Sequence, residues 1–293
     1  MSGERPDAEQ RYIGLVKVYA EHHVRDRKGT EGSYLVQGAG TLITIVTSGQ
    51  QRLYVITARH VVVPSPFIKT LVLNHEDPKR KKEIKFDKIN EVWSRVLVGI
   101  GVEPSAILLA KTREGVLSDI ALLEIPIKEY ISLKPYLHLF TRLSPPSVEQ
   151  KIEELVGSEV RVWGYPAGLS PQAASGCCIV TDIRPAYMIL NQDLIGGYSG
   201  GLVLHSDGKT ILGMPVRSDK EAHQTIALRW DTVESLLNDP SSLQRVAPGD
   251  FIEILEENAD REQEAARFTY REFYSPFVPI TTPESKWWEF WKR

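Results

Sequence analysis

Short runs rich in β-branched residues, each closed off by polar turn residues, recur along most of the chain and leave few folds open to it. YIGLVKVYA, GTLITIVTS, RLYVITA, AILLAK and DIALLEI fall within residues 11–125, and SEVRVWGYP, SGCCIVTDI, AYMILN, GLVLHS, TILGMPV and HQTIALRW come between residues 158 and 230. Segment 126–158 breaks the cadence. There Pro135, Pro145 and Pro146 precede SVEQKIEELVG, whose Val148, Ile152, Leu155 and Val156 share one helical face with Ser147 at the cap position. The pattern predicts an all-β chain: a polar stretch at 1–10, a strand block at 11–125, a linker at 126–158, a second block at 159–240, and an appended segment at 241–293. DTVESLLND, opened by Asp231, reads as a short helix closing the second block. Two blocks of about six short strands each suit two sandwiches or two small barrels.

Bulk composition narrows the partners. With 293 residues, 42% hydrophobic and 25% charged, the chain can bury a substantial core. A net charge of −3 gives no reason to expect nucleic acid or an anionic membrane as partner. The basic run PKRKKEIK at 78–85 reads as a solvated hairpin edge. Its two cysteines, Cys177 and Cys178, are adjacent and cannot staple distant elements, so the fold is expected to stand without disulfides in a reducing compartment. With no leader-like or membrane-spanning run, the expected location is the cytoplasm. His22 and His23 have no Cys or carboxylate at a metal-ligand spacing and read as a solvated turn, so neither metal nor cofactor is expected.

The stretch GGYSGGLVL at 196–204 is chemically the most telling. Four glycines around one serine are costly inside a strand, at roughly 0.5–1 kcal/mol each against alanine. They make sense if the backbone must fold tightly enough to aim two amides at one point. Cleaving an acyl bond with a serine needs a base, a group that orients the base, and N–H donors for the developing oxyanion. Ser199 is the candidate nucleophile, with the amides of Gly197 and Ser199 as donors. His60, after the run YVITA, is the candidate base, and Asp119, opening DIALLEI, the candidate orienting acid. The sequence after Ser199 reads strand, turn, strand, which argues against hydrolases that place a helix directly after the nucleophile.

These residues, in the order His, Asp, Ser across two strand-rich blocks, resemble the chymotrypsin-like (trypsin-like) serine peptidases in their disulfide-free microbial form. The matching stretches are GAGTLITI, ITARH around His60, SDIALLEI around Asp119, VWGYPAG at 162–168, GGYSGG around Ser199, and ILGMPV. The resemblance spans residues 12–238. It implies two packed antiparallel six-stranded barrels with the site in the cleft between them, and a helical or extended C-terminal appendage outside. It implies a serine endopeptidase acting on protein or peptide substrates, with Ser199 as nucleophile, His60 as general base and then acid, Asp119 holding the Nδ1 proton, and the Gly197 and Ser199 amides as oxyanion hole.

The chain departs from the digestive members at Tyr198, where they carry an aspartate that pairs with a newly cut N-terminus; activation by that ion pair is not expected. An ungapped carry-over puts Asp193 near the base of the primary specificity pocket, where an acid would favour Arg or Lys; the other reading makes Asp193 a turn residue. Val216 and Ser218 are expected to offer their backbone to an extended substrate as an added strand, with Arg217 and His223 near enough to alter the pocket's charge. Two rival readings stand beside the peptidase: a catalytically inactive, peptide-binding version of the same fold, and an esterase of the strand–turn–helix class. The tail ESKWWEFWKR, with Trp287, Trp288, Phe290 and Trp291, is expected to dock on the barrels, on a regulatory partner, or on a membrane interface, consistent with a regulated intracellular effector.

Overall fold

The computed structural model describes residues 13–246, apart from 48–49, 64–69, 74–81, 88, 100, 111–118, 138–151, 167–172, 195, 220 and 239–241. The aromatic tail, the helix-like stretch after Asp250, and the face built on Val148 with its cap Ser147 lie outside the described residues, as does the loop part of the basic run.

The first block folds into β1 (Ile13–Asp26), β2 (Glu31–Thr47), β3 (Gln50–Thr57), the single turn α1 (Arg59–Val62), β4 (Thr70–Leu73), β5 (Lys82–Lys85), β6 (Ile89–Val98), β7 (Ala106–Ala110) and β8 (Ala121–Ile125). Next comes α2 (Tyr130–Leu137). The second block gives β9 (Glu159–Gly164), β10 (Ala174–Ile183), β11 (Tyr187–Leu190), β12 (Leu202–His205), β13 (Ile211–Asp219), β14 (Gln224–Arg229), α3 (Trp230–Asn238) and finally β15 (Leu243–Val246). All six strand runs read from residues 158–230 are present. Strand β5 is the end of the basic run and pairs with β4 as a separate hairpin.

The second block closes into a six-stranded barrel, in the order β10-β11-β14-β13-β12-β9. The first block is a curled seven-stranded sheet in the order β15-β7-β8-β3-β2-β1-β6, whose two end strands are not paired to each other. The two-barrel, all-β architecture thus holds, with a half-barrel in place of one closed six-stranded barrel. Two strands not read from the sequence, β6 and β15, form its two edges. Strand β6 alternates cleanly, with Val92, Ser94, Val96 and Val98 inward, but the buried Ser94 interrupts its apolar pattern. Strand β15, assigned by sequence to the appended segment, pairs antiparallel with β7, Leu243 opposite Ala110 and Val246 opposite Ile107.

The body shares a core across the two sheets. In β12, Leu202 and Leu204 point into the cluster that also holds Leu15 and Leu42 of the first sheet and Val61 of α1, while Val203 points into the second barrel with Val160, Val180 and Leu190. Period-two alternation in a strand buried on both faces produces this split. Each such side chain contributes about 1.5–3 kcal/mol on burial. Residues 126–158 are not a bare connector: α2 packs the fully buried Leu133 near Gly99, close to β1, and Ile152–Leu155 form a 3-10 turn.

His22 and His23 do not form a solvated turn. Both lie within β1, where alternation sends His22 inward to full burial against Ser94 (Nδ1 to Oγ 2.6 Å) and His23 outward onto Trp93, rings 3.7 Å apart and nearly parallel. Burial first, then the neighbouring His23, pull the His22 ring down to about 3, so it is held neutral. Cys177 is exposed and Cys178 buried, and both are free thiols.

Candidate active site

Strand pairing brings the three candidate residues to one end of the sheets. Strand β3 runs antiparallel to β8 with Thr57 opposite Ala121, so the residues just after β3 and just before β8 are neighbours. His60 is three positions beyond Thr57 and Asp119 two before Ala121. The His60 Nδ1 lies 2.8 Å from Oδ2 and 3.1 Å from Oδ1 of Asp119, and the His60 amide donates to Oδ1 at 3.0 Å. The Arg59 amide donates to the Asp119 carbonyl at 3.2 Å, tying the turn of α1 to the start of β8. An ionised carboxylate can only accept, so this contact keeps a proton on Nδ1 and places the ring's acceptor lone pair on Nε2. Both side chains are about one quarter exposed, at 21% and 24%, and so remain within reach of solvent and substrate.

Ser199 comes to the same place from the second barrel. Its carbonyl accepts from the Ala39 amide of β2 at 2.9 Å, and the Gly200 amide donates to the Pro215 carbonyl of β13 at 2.8 Å. Gly200 has φ +84° and sits where a Cβ would overlap the Ala39 carbonyl and the Thr57 hydroxyl, three residues before His60. Thr57 Oγ1 donates to the Ala39 carbonyl at 2.7 Å, and Thr41 Oγ1 reaches the carbonyls of Gly200 and Gly201 at 3.3 Å each. The Ala39 and Thr41 bonds hold the serine turn against the middle of β2, beside the end of β3. After Ser199 and its two glycines the chain enters strand β12, not a helix, which removes the strand–turn–helix esterase reading.

The peptide planes around Ser199 are set by their carbonyls. The Tyr198 carbonyl accepts from the Gly201 amide at 2.9 Å, which directs the Ser199 N–H the opposite way. The Gly197 carbonyl accepts from the Tyr165 amide at 2.9 Å. Gly197 has φ +106°, and a Cβ there would overlap the Tyr165 carbonyl, so no other residue fits. Neither the Gly197 nor the Ser199 amide donates to an acceptor among the described residues. Tyr198 is buried in the second barrel's core, its backbone and ring packed where a Cβ at Gly164 would stand.

Two supports of this turn were not read from the sequence. Gln37 Nε2, on β2, donates to the Tyr165 carbonyl at 2.9 Å, and the Tyr165 hydroxyl donates back to the Leu15 carbonyl of β1 at 3.1 Å. Only the flanking glycines of GAGTL hinted that β2 approaches another backbone closely.

Strand β13 pairs with β12 only at Ile211 and Gly213, whereas its pairing with β14 continues to Asp219. Its edge from Pro215 onward, which holds the expected backbone donors and acceptors of Val216 and Ser218, starts beside Gly200 and has no strand partner on that side among the described residues. Val216 is fully buried; Arg217 and Ser218 are half-buried. Asp193 is 38% exposed, its Oδ1 3.7 Å from Nδ1 of the exposed His223.

No family model matches the sequence, and no curated protein matches it. Among solved structures, the chain is similar to the Rv3671c protease from M. tuberculosis in its active form, at 19% identity over 80% of this chain and 84% of that one, with a TM-score of 0.45. The inactive form of the Rv3671c protease matches at 19% identity over 77% of this chain and 88% of that one, TM-score 0.40. A serine endoprotease from Yersinia pestis matches at 15% identity over 78% of this chain and 63% of that one, TM-score 0.43. The fold assignment rests on sheet order and pairing register rather than on these likenesses. By that order and register, the chain has the all-β, chymotrypsin-like two-barrel fold.

Proposed function

We propose that this protein is a serine endopeptidase that hydrolyses peptide bonds through Ser199, His60 and Asp119. The observation that carries the reading is the doubly bonded His60–Asp119 pair at the sheet end against which the Ser199 turn is hydrogen-bonded. In this reading Ser199 Oγ attacks the scissile carbonyl carbon while His60 Nε2 takes its proton. The negative charge forms on the former carbonyl oxygen, and the Gly197 and Ser199 amides receive it. Collapse breaks the C–N bond, and the imidazolium gives its proton to the departing amine. Water then attacks the acyl-enzyme by the same path and returns the serine hydroxyl. No step needs a metal or cofactor.

The free thiols of Cys177 and Cys178 support action in a reducing compartment, and the proposal extends to a regulated effector inside the cell. Turnover of a peptide library by the purified full chain tests the reading. Asp119→Asn is expected to lower kcat by about 10⁴-fold, because the ring then favours the wrong tautomer. A near-normal rate in that variant would show that another group orients the base. No turnover by the native chain would favour the peptide-binding module.

A further inference from the structure

The resemblance puts Asp193 near the base of the primary pocket and the backbone of Val216 and Ser218 along an extended substrate, so a substrate side chain entering that pocket would have the segment at 192–194 and strand β13 as its walls. In the structure these walls are bonded to each other. Ser218 Oγ donates to the Leu194 carbonyl at 3.0 Å. Thr225, paired with Ser218 across β13 and β14, donates its Oγ1 to the Gln192 carbonyl at 2.7 Å and accepts from the Leu194 amide at 3.1 Å. The two hydroxyls are 3.3 Å apart, and Thr225 is 1% exposed. The Leu194 side chain turns away to pack on the second barrel's core, near Gly176. The Asp193 carboxylate faces outward to His223 instead of inward to the stitched walls.

A flat ring or an extended cationic chain needs about 7 Å between the atoms on its two faces, twice a van der Waals contact of about 3.5 Å. Walls joined through side-chain hydroxyls at 2.7–3.3 Å do not offer that width. Opening them would leave main-chain groups of Gln192 and Leu194 without partners, a cost that a small substrate side chain avoids. We infer that Ser218 and Thr225 close the primary pocket, and that the enzyme cleaves after small residues such as Ala, Ser and Val in preference to Arg, Lys or aromatic residues. The inference rests on Ser199 being the nucleophile beside that pocket.

The test is kcat/KM of the purified full chain on peptides that differ only at the residue before the scissile bond, run alongside labelling by a fluorophosphonate probe. Small residues are expected to exceed Arg, Lys and Phe by at least about tenfold, in line with the discrimination that pocket size gives. Ser218→Gly removes one of the two hydroxyls at a half-buried site and is expected to raise the relative rate on Phe by about the same factor. Thr225→Ala in the same background should raise it further. A native chain that carries a Ser199-dependent label yet prefers Arg or Lys, and loses that preference in Asp193→Ser, overturns the inference and leaves the nucleophile standing. An unaltered profile in folded Ser218→Gly overturns it as well. Absence of Ser199-dependent labelling would remove the underlying reading and the inference with it.

Discussion

Gln37 and Tyr165 join the two barrels directly behind the serine turn: the Gln37 amide nitrogen donates to the Tyr165 carbonyl at 2.9 Å, and the Tyr165 amide donates in turn to the Gly197 carbonyl at 2.9 Å. The peptide that Gly197 packs against is thereby held from the first sheet. Gln37→Leu, which keeps the bulk and loses the donor, is expected to lower kcat by about 10- to 100-fold, the scale of small misplacements at a reacting centre. KM and melting temperature should change little. An unchanged kcat would mean that the second barrel alone sets the peptide.

Gly197→Ala tests the same plane from inside. With φ at +106° and a Cβ overlapping the Tyr165 carbonyl, the substitution must rotate the peptide or push Tyr165 away. The expected result is a folded chain whose kcat falls by about 10²- to 10³-fold, as for loss of one oxyanion donor. Affinity for a peptide boronate, which forms a tetrahedral adduct, should fall in parallel, while binding of a cleaved product peptide should not. Equal losses for both would point to a blocked cleft.

Acid should destabilise the first sheet through two groups. The Asp26 carboxylate accepts from the amides of Asp87 at 3.0 Å and of Thr30 and Lys28 at 2.8 Å each; these bonds, that of Asp87 first, hold it below the usual carboxylate range against the opposing effect of desolvation. His22 is likewise depressed, to about 3, chiefly by burial. Both folded values lie below the unfolded ones, so each contribution is complete above the unfolded value and is lost as pH falls through the window below it. For His22 that window opens near the ordinary imidazole value of about 6.5. Urea titrations should show stability declining from about pH 6.5 downward, with the upper part of the decline flattened in His22→Gln and the lower part in Asp26→Asn. A native chain equally stable across that range would contradict both assignments.

Ser94→Ala should cost about 1–3 kcal/mol, because it leaves the buried Nδ1 of His22 without its 2.6 Å partner. Denaturant midpoints at neutral pH measure it. A change of a few tenths would mean that His22 finds another acceptor or donor.

The reach of the sequence matched the range of the interactions. His60, Asp119 and Ser199 stood out in the sequence because the first two border strand runs and the third lies among glycines, and the glycines at 197 and 200 mark backbone that has no room for a Cβ. The six strands of the second barrel were legible because their inward positions are apolar almost without exception. Gln37 and Tyr165 were not, since a bond spanning 128 positions leaves no local pattern. Strand β6 was hidden by the inward Ser94, which pairs with a histidine from β1, and β15 by having only Val246 buried among its four residues. Ser218 was read for its backbone alone; its hydroxyl became meaningful only once Thr225 stood opposite it.

The central claim is that Ser199 is a nucleophile made reactive by the His60–Asp119 pair. The most direct measurement is the intact mass of the full chain after exposure to a fluorophosphonate, with the adduct mapped by peptide fragmentation. One adduct on Ser199 is predicted for the native chain, none for folded Ser199→Ala, and labelling slowed by several orders of magnitude for His60→Ala, since the two residues act as a unit. A folded native chain that stays unlabelled, or an adduct that persists when Ser199 is replaced, would contradict it.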